Sequence, residues 1–241
     1  MPSFATIEAT RAWDIAARIV GASCLAFLDA AAFSAILATA RRLGAVGIDV
    51  ATVAALAAHV CLFLLLLIET TLIVCRPRAV ARATGIQPRV SALMGTWLML
   101  LVVLFPLRTN LPAPMYMAAA GLGTLGDILA IYVVLHLGGS FSFMAEARGL
   151  VERGPYALSR HPLYVASEVG LSSAVITHLS WWVVVLFVVH ASFQYRRARN
   201  EEKVLGRTFA GYAAYMKRTP MLLPGFGFPG KTRAQASMTG D

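Results

Sequence analysis

The sequence predicts an all-α fold: a polytopic membrane helix bundle of four spans, followed by a C-terminal helical hairpin and an amphipathic helix. Three observations carry this expectation. Of the 241 residues, 58% are hydrophobic and only 14% are charged, where a soluble domain carries roughly a quarter. The apolar residues are gathered into runs long enough to cross a hydrocarbon layer, which takes about 20 helical residues. The positive residues lie mainly beside those runs, the pattern that the positive-inside rule produces.

The elements follow in order. MPSFATIEATRAWDIAARIV has no short basic lead and no small-residue cleavage site, so it reads as a retained first helix and not a removed signal peptide. The first span is expected over about 15–40 and the second over about 50–75, ending at CRPR. Residues 76–91 form a basic connection carrying Arg76, Arg78, Arg82 and Arg89. A short third span, about 92–107, stops at the proline-marked turn FPLRTNLPAP. The fourth runs over about 114–138. The apolar stretch 163–195 is too long for one straight crossing, and THLSWW inside it reads as a turn with tryptophans at the interface, hence a hairpin. In 196–218, Val204, Leu205, Phe209, Tyr212 and Met216 recur at helical spacing, which predicts a separate amphipathic helix. The tail 226–241 has little to bury and is expected to be disordered.

The net charge of +9 would suggest a nucleic-acid partner in a soluble protein; here its placement makes it topological, and no nucleic-acid partner is expected. With the N-terminus inside, four spans and a hairpin bring the C-terminus back to the cytoplasmic side. The connection 76–91, the stretch 149–164 and the segment 196–218 then share that side, against Arg41, Arg42 and Arg108 on the other. Cys24, Cys61 and Cys75 lack metal-site spacing and read as small buried hydrophobes.

Several motifs have a plain reading. GLGTLG, 121–126, satisfies G-x-G-x-x-G but lies inside a span instead of after a strand. Ala119, Gly123, Gly126 and Ala130 more plausibly let a neighbouring helix approach closely. His59, His136, His178 and His190 are isolated and read as packed side chains with one satisfied nitrogen; no metal is expected. Asp29, Glu69 and Asp127 sit inside apolar runs. They mark either a proton or ion pathway, or carboxyls that snorkel or pair with an arginine.

GLVERGPYALSRHPLY, 149–164, is different. Gly149, Gly154, Pro155 and Pro162 interrupt helix formation twice, which leaves backbone N–H groups free beside Arg160 and His161 to bind an anionic or polar ligand. Tyr156 and Tyr164 offer flat apolar faces with a hydroxyl, suited to an adenine ring or a ribose. Composition alone leaves the stretch as either a loop or a site. RRARNEEKVL, 196–205, places Arg197 and Glu201 four residues apart on one helix face, where the carboxylate can hold the guanidinium in one orientation.

Together, G-P-Y-x-x-x-R-H-P-x-Y (Gly154, Pro155, Tyr156, Arg160, His161, Pro162, Tyr164) and R-x-x-x-E-E (Arg197, Glu201, Glu202) resemble the isoprenylcysteine carboxyl methyltransferase family. The Y-x-x-Y at Tyr212 and Tyr215 and the L-P-G at 223–225 also fit, and the resemblance covers roughly 136–225. It implies one integral membrane domain, with a transmembrane bundle over about 1–135 and a cofactor-binding catalytic half over about 136–225. It further implies a pocket at the cytoplasmic face, closed over S-adenosylmethionine. The family's cofactor contacts map onto Arg148, Gly149, Leu150 and Val151, onto Tyr156, onto His161, Pro162, Leu163 and Tyr164, and onto Glu201. Its substrate-orienting arginine maps onto Arg197. The sequence departs from the family near Phe141, where a polar residue is common.

The implied function is S-adenosylmethionine-dependent methyl transfer to a small lipophilic acceptor, with an isoprenylcysteine-like carboxylate as the family's namesake and an amine or thiol as alternatives. Arg197 and Glu201 would be the catalytic pair. Two other readings stand beside it: an NADPH-dependent enzyme similar to membrane sterol reductases, and an ion-coupled transporter built on Asp29, Glu69 and Asp127.

Overall fold

A computed structural model describes residues 4–108 and 110–222. Residues 223–225 of the L-P-G element and the tail 226–241 lie outside them. The elements are α1 (Phe4–Val46), α2 (Val50–Cys75), β1 (Ala81–Arg82), α3 (Ile86–Trp97) continued by a 3₁₀ turn over Leu98–Leu104, α4 (Ala113–Leu137), β2 (Glu146–Ala147), α5 (Pro162–Thr177), α6 (Trp181–Thr208) and α7 (Tyr212–Arg218). The fold is an all-α bundle, as expected. Among the described residues, four stretches are long and apolar enough to span a membrane: Asp14–Ala45, Val50–Cys75, Ile86–Leu104 and Ala113–Ser140.

Local chemistry sets the boundaries. Asp49 caps α2 by accepting the Thr52 backbone N–H at 2.9 Å, satisfying one of the orphan donors of a helix start. Pro162 opens α5 at a position where its missing N–H costs nothing. Ser180 caps α6 by accepting from the Val183 N–H, so the hairpin turn falls within THLSWW, as expected. Trp181 and Trp182 stand exposed beside it.

The bundle is held by α1 against α2, α2 against α4, α4 against α5 and α3 against α6. Leu25 and Ala32 of α1, Leu66 and Ile73 of α2, Val134 of α4 and Phe141 after it form one buried cluster. Outward faces are apolar too, with Phe27, Leu67, Val103 and Ile128 exposed, as a lipid-facing surface demands. The small residues of α4 act as expected. Ala119 and Ala130 are buried, and a Cβ on Gly126 would come within 2.2 Å of the Gly170 nitrogen in α5. GLGTLG is therefore a packing surface.

Four expectations need correction. First, the charged segment after 195 is no separate helix. α6 runs unbroken to Thr208, and the break comes only at Phe209–Gly211 before α7. A change from apolar to charged residues does not end a helix when neither Gly nor Pro is present; that composition change misplaced the boundary. Second, α1 extends well beyond 15–40, and α3 starts at Ile86 inside the connection read as basic loop. Third, Cys24 and Cys75 are exposed, with only Cys61 partly covered; on a lipid-facing helix an apolar side chain need not be buried in protein. Fourth, the connection after α2 and the segment before the 149–164 loop share a small antiparallel ladder, Ala81 opposite Ala147 and Arg82 opposite Glu146. Two-residue strands leave no periodicity to read.

Candidate functional site

The ladder fixes one wall of the site. Its charges are interlocked: Arg82 meets Asp14 and Glu146, each at 3.0 Å, and Arg148 meets Glu146 at 2.7 Å while donating to the Pro77 carbonyl at 2.9 Å. The Arg148 side chain is fully covered. Beside it Arg76 is buried and donates to the Ser142 hydroxyl at 3.2 Å. Burial, together with the neighbouring Arg148 charge, brings the Arg76 guanidinium down to about 10.

The next wall is the loop 149–161. Gly154 has φ 61° and starts a 3₁₀ turn, Gly154–Ala157, which buries Tyr156. A Cβ at Gly154 would lie 2.5 Å from the His136 ring. Gly154→Ala is therefore expected to cost about 1–2 kcal/mol from the left-handed backbone alone, visible as a lower melting temperature in detergent. The loop is also tied to the C-terminal segment. Arg160 and His161 donate their backbone N–H groups to the carbonyls of Pro220 and Met221 at 2.9 and 3.1 Å, and the Tyr215 hydroxyl donates to the Tyr156 carbonyl at 2.6 Å. Burial, reinforced by the Glu201 carboxylate, pushes the Tyr156 phenol far up. Burial pushes the Tyr215 phenol up to about 12 although Arg160 opposes it. Both keep their protons at physiological pH.

The third wall is α5 and α6. The Tyr164 hydroxyl bonds Glu201, and the His161 ring stacks on Tyr164 with centroids 5.3 Å apart. Arg197 is buried and threefold anchored: its Nε donates to Glu201 at 3.3 Å, one Nη to the Thr96 hydroxyl at 3.0 Å, the other to the Ser142 carbonyl at 3.0 Å. Its guanidinium also lies 5.0 Å from the Tyr164 ring centre. The i,i+4 pair read from the sequence is thus a buried, oriented one, unlike a solvated surface pair.

These walls enclose a narrow cavity of about 90 Å³. Arg148, Gly149, Leu150, Val151, Tyr156, His161, Leu163, Tyr164, Arg197 and Glu201 all line it. Pro162 does not; its part is to start α5. Phe141 also lines it from within the core, flanked by Ser140 and Ser142, which supply the polar groups there. Arg160, expected to help bind an anion, instead pairs with Glu202 at 2.9 Å, a residue the motif gave no role, and His161 lies 3.6 Å from the same carboxylate. Opposite charges in neighbouring motifs were the available signal. Tyr212 and Tyr215 complete the lining. Thr96 and Ser142, which aim Arg197, left no signal in the sequence.

A second cavity, about 350 Å³, lies within the bundle among α2, α3, α4, α5 and α6. Glu69 and Asp127 line it, with His190, Gln194 and Thr96, and it shares Phe141, Leu163, Tyr164 and Arg197 with the first. Arg197 and Tyr164 therefore stand in the partition between the two. Asp29 is apart, accepting from the Thr70 hydroxyl at 3.1 Å. Three of the histidines have one satisfied ring nitrogen, as expected: His59 with the Thr39 hydroxyl, His136 with the Tyr132 carbonyl and His178 with the Ala174 carbonyl. His190 instead faces the Glu168 carboxylate at 3.3 Å.

Known proteins match part of the chain. The cobalt-zinc-cadmium resistance protein CzcN of Cupriavidus metallidurans is 33% identical over 108 residues, 43% of this chain and 48% of that protein. The nickel-cobalt-cadmium resistance protein NccN of Alcaligenes xylosoxydans xylosoxydans is 30% identical over 102 residues, 42% and 46% of the two chains. The alignments thus span about half the length of these curated relatives. Residues 114–211 match the sequence model of the phospholipid methyltransferase family. That segment, less than half of the chain, holds nearly all of α4, the whole 149–164 loop, α5 and α6, and over it the chain is similar to the phospholipid methyltransferases.

Proposed function

We propose that this protein is an S-adenosylmethionine-dependent membrane methyltransferase acting on a small lipophilic acceptor, with an isoprenylcysteine-like carboxylate as the leading acceptor type. The observation that carries the reading is the position of Arg197, held by Glu201, Thr96 and Ser142 in the partition between a polar loop cavity and an intramembrane cavity. On this reading the two reactants come from different phases and meet at that side chain.

The residues of the first cavity suit the cofactor chemically. The buried His161 Nε2 and Tyr212 hydroxyl have no hydrogen-bond partner in the protein, and such groups call for one. Tyr156 and Leu150 offer apolar surface for a base, and Glu201 a counter-charge for an ammonium group. The cavity is smaller than the several hundred Å³ of a typical ligand site, so on this reading its lining must open to admit the cofactor.

When bound, S-adenosylmethionine supplies a methyl group already made electrophilic by its sulfonium. The protein's part is then positioning and exclusion of water. Arg197 orients an anionic acceptor, Glu201 fixes Arg197, and Tyr164 fixes Glu201. Positioning alone contributes up to about 7–11 kcal/mol in well-oriented cases. An ionised carboxylate needs no general base. The loop site and both termini are placed on the cytoplasmic side, on the strength of the arginine distribution. A role in metal resistance, named for the two relatives, would reach this chain through the methylated product. Among the described residues no three His, Cys, Asp or Glu side chains gather to hold a metal ion.

Calorimetric titration of the purified protein in detergent tests the reading. S-adenosylmethionine is expected to bind and NADPH not to; His161→Ala should weaken binding, and Arg197→Ala should leave it largely intact. Binding of NADPH without S-adenosylmethionine would turn the assignment to the reductase class.

A further inference from the structure

A separate cavity of about 480 Å³ lies between the 81–88 connection and the last turns of α6, and it shares no lining residue with the two that meet at Arg197. Arg82, Lys203 and Arg207 line it, and no aspartate or glutamate does. Asp14 and Glu146 engage Arg82. Lys203 and Arg207 are exposed, and among the described residues no ion pair or hydrogen bond reaches either side chain. They stand four residues apart on α6, with Arg199 four residues earlier, so three like charges share one helix face. Like charges at that spacing repel one another, and an anion seated among them turns the repulsion into attraction. Topology asks for cations beside a span; it does not ask that they converge on one acid-free cavity. At the facing wall Gly85 caps α3 without a side-chain bond, which leaves first-turn N–H groups of that helix there as well.

Depth in the membrane identifies the anion. The candidate span Ile86–Leu104 begins at the cavity wall, and its 19 residues match a hydrocarbon layer that takes about 20. The cavity therefore lies at the level of lipid headgroups. Ile86 at its wall and Val80, next to its lining residue Ala81, are exposed apolar side chains, a surface that suits acyl chains and not a water-soluble anion. We propose that this cavity binds the headgroup of an anionic phospholipid, with the phosphate held by Lys203 and Arg207. The lipid is a ligand apart from methyl transfer and not the acceptor, and the proposal does not depend on which acceptor is methylated. Bound there, it ties α6 to the connection that leads into α3, the two helices that supply Arg197 and its partner Thr96.

The test titrates dioctanoyl-phosphatidylglycerol and dioctanoyl-phosphatidylcholine, which differ in headgroup charge, into the full-length protein in a neutral detergent, with affinity read by calorimetry. Wild type is expected to bind the anionic lipid about 25-fold more tightly, two cations at about fivefold each. Lys203→Gln combined with Arg207→Gln should remove that preference. Arg41→Gln combined with Arg42→Gln, exposed cations at the far end of α1, should leave it unchanged. Equal binding of the two lipids by wild type overturns the proposal. A preference that survives the Lys203–Arg207 variant overturns it too, as does one that the Arg41–Arg42 variant loses equally, since surface charge in general would then be the cause. Inorganic phosphate at the same concentration is expected not to displace the anionic lipid; displacement would reassign the site to a soluble anion and overturn the lipid assignment. If the double variant does not fold, Lys203→Gln alone decides, with an expected loss of about fivefold in the preference.

Discussion

Arg197→Ala is expected to lower turnover by about 10²–10³-fold, the usual effect of removing one preorganised electrostatic contact, while cofactor binding persists. The side chain bridges α3, the 142 carbonyl and Glu201, so its loss also leaves Glu201 without its guanidinium. Breaking a buried pair from one side costs about 3–5 kcal/mol, and a lower melting temperature should accompany the kinetic defect. Arg197→Lys separates the two effects: it restores charge but not the planar fork that reaches three acceptors at once. Stability should recover further than turnover. Wild-type turnover in a folded Arg197→Ala protein would remove Arg197 from the reaction.

Gly126→Ala is expected to be the most disruptive conservative change in the bundle. Its methyl would sit 2.4 Å from the Gly170 Cα and 3.0 Å from the Ala166 carbonyl, besides the 2.2 Å approach to the Gly170 nitrogen. Backbone cannot yield as a side chain can, so α5 must move away from α4. Overpacking of this kind costs about 3 kcal/mol or more, and α5 carries Tyr164 into the site. Melting temperature and S-adenosylmethionine affinity should fall together. Gly123→Ala is the control on the same helix: its methyl would meet the Ser173 hydroxyl at 3.4 Å. Intrinsic helix propensity favours alanine there by up to about 1 kcal/mol, so it should be tolerated. Similar melting curves for the two variants would contradict the packing argument.

How much of this was legible in the sequence follows from what each feature depends on. Spans, the hairpin turn and the small-residue face of α4 depend on composition and local spacing, and Ser180, Trp181 and Gly126 stand where the pattern put them. The site residues of the loop and of R-x-x-x-E-E were legible as motifs, because Gly154, Pro162 and the i,i+4 pair have local geometric meanings. What stayed hidden depends on contacts between distant segments. Thr96 lies a hundred residues from Arg197, and nothing at 96 distinguishes it from any other helix threonine. The ladder joining 81–82 to 146–147 is too short to show a period. The length of α6 stayed hidden because polarity changes near 195 while the helix continues, so only its solvent changes there. Glu69 and Asp127 were legible as anomalies, but only the cavity showed that they face the same space.

The unbroken course of α6 has a consequence for how the site can vary. His190, Gln194, Arg197 and Glu201 recur at intervals of four, three and four residues, one stripe along one rod of 28 residues. Each residue turns the rod by about 100°. One residue gained or lost between His190 and Glu201 would swing one end of the stripe away from its cavity while the other stayed. The two compartments are therefore geared together: substitutions can retune either one, but changes in spacing must preserve both registers at once.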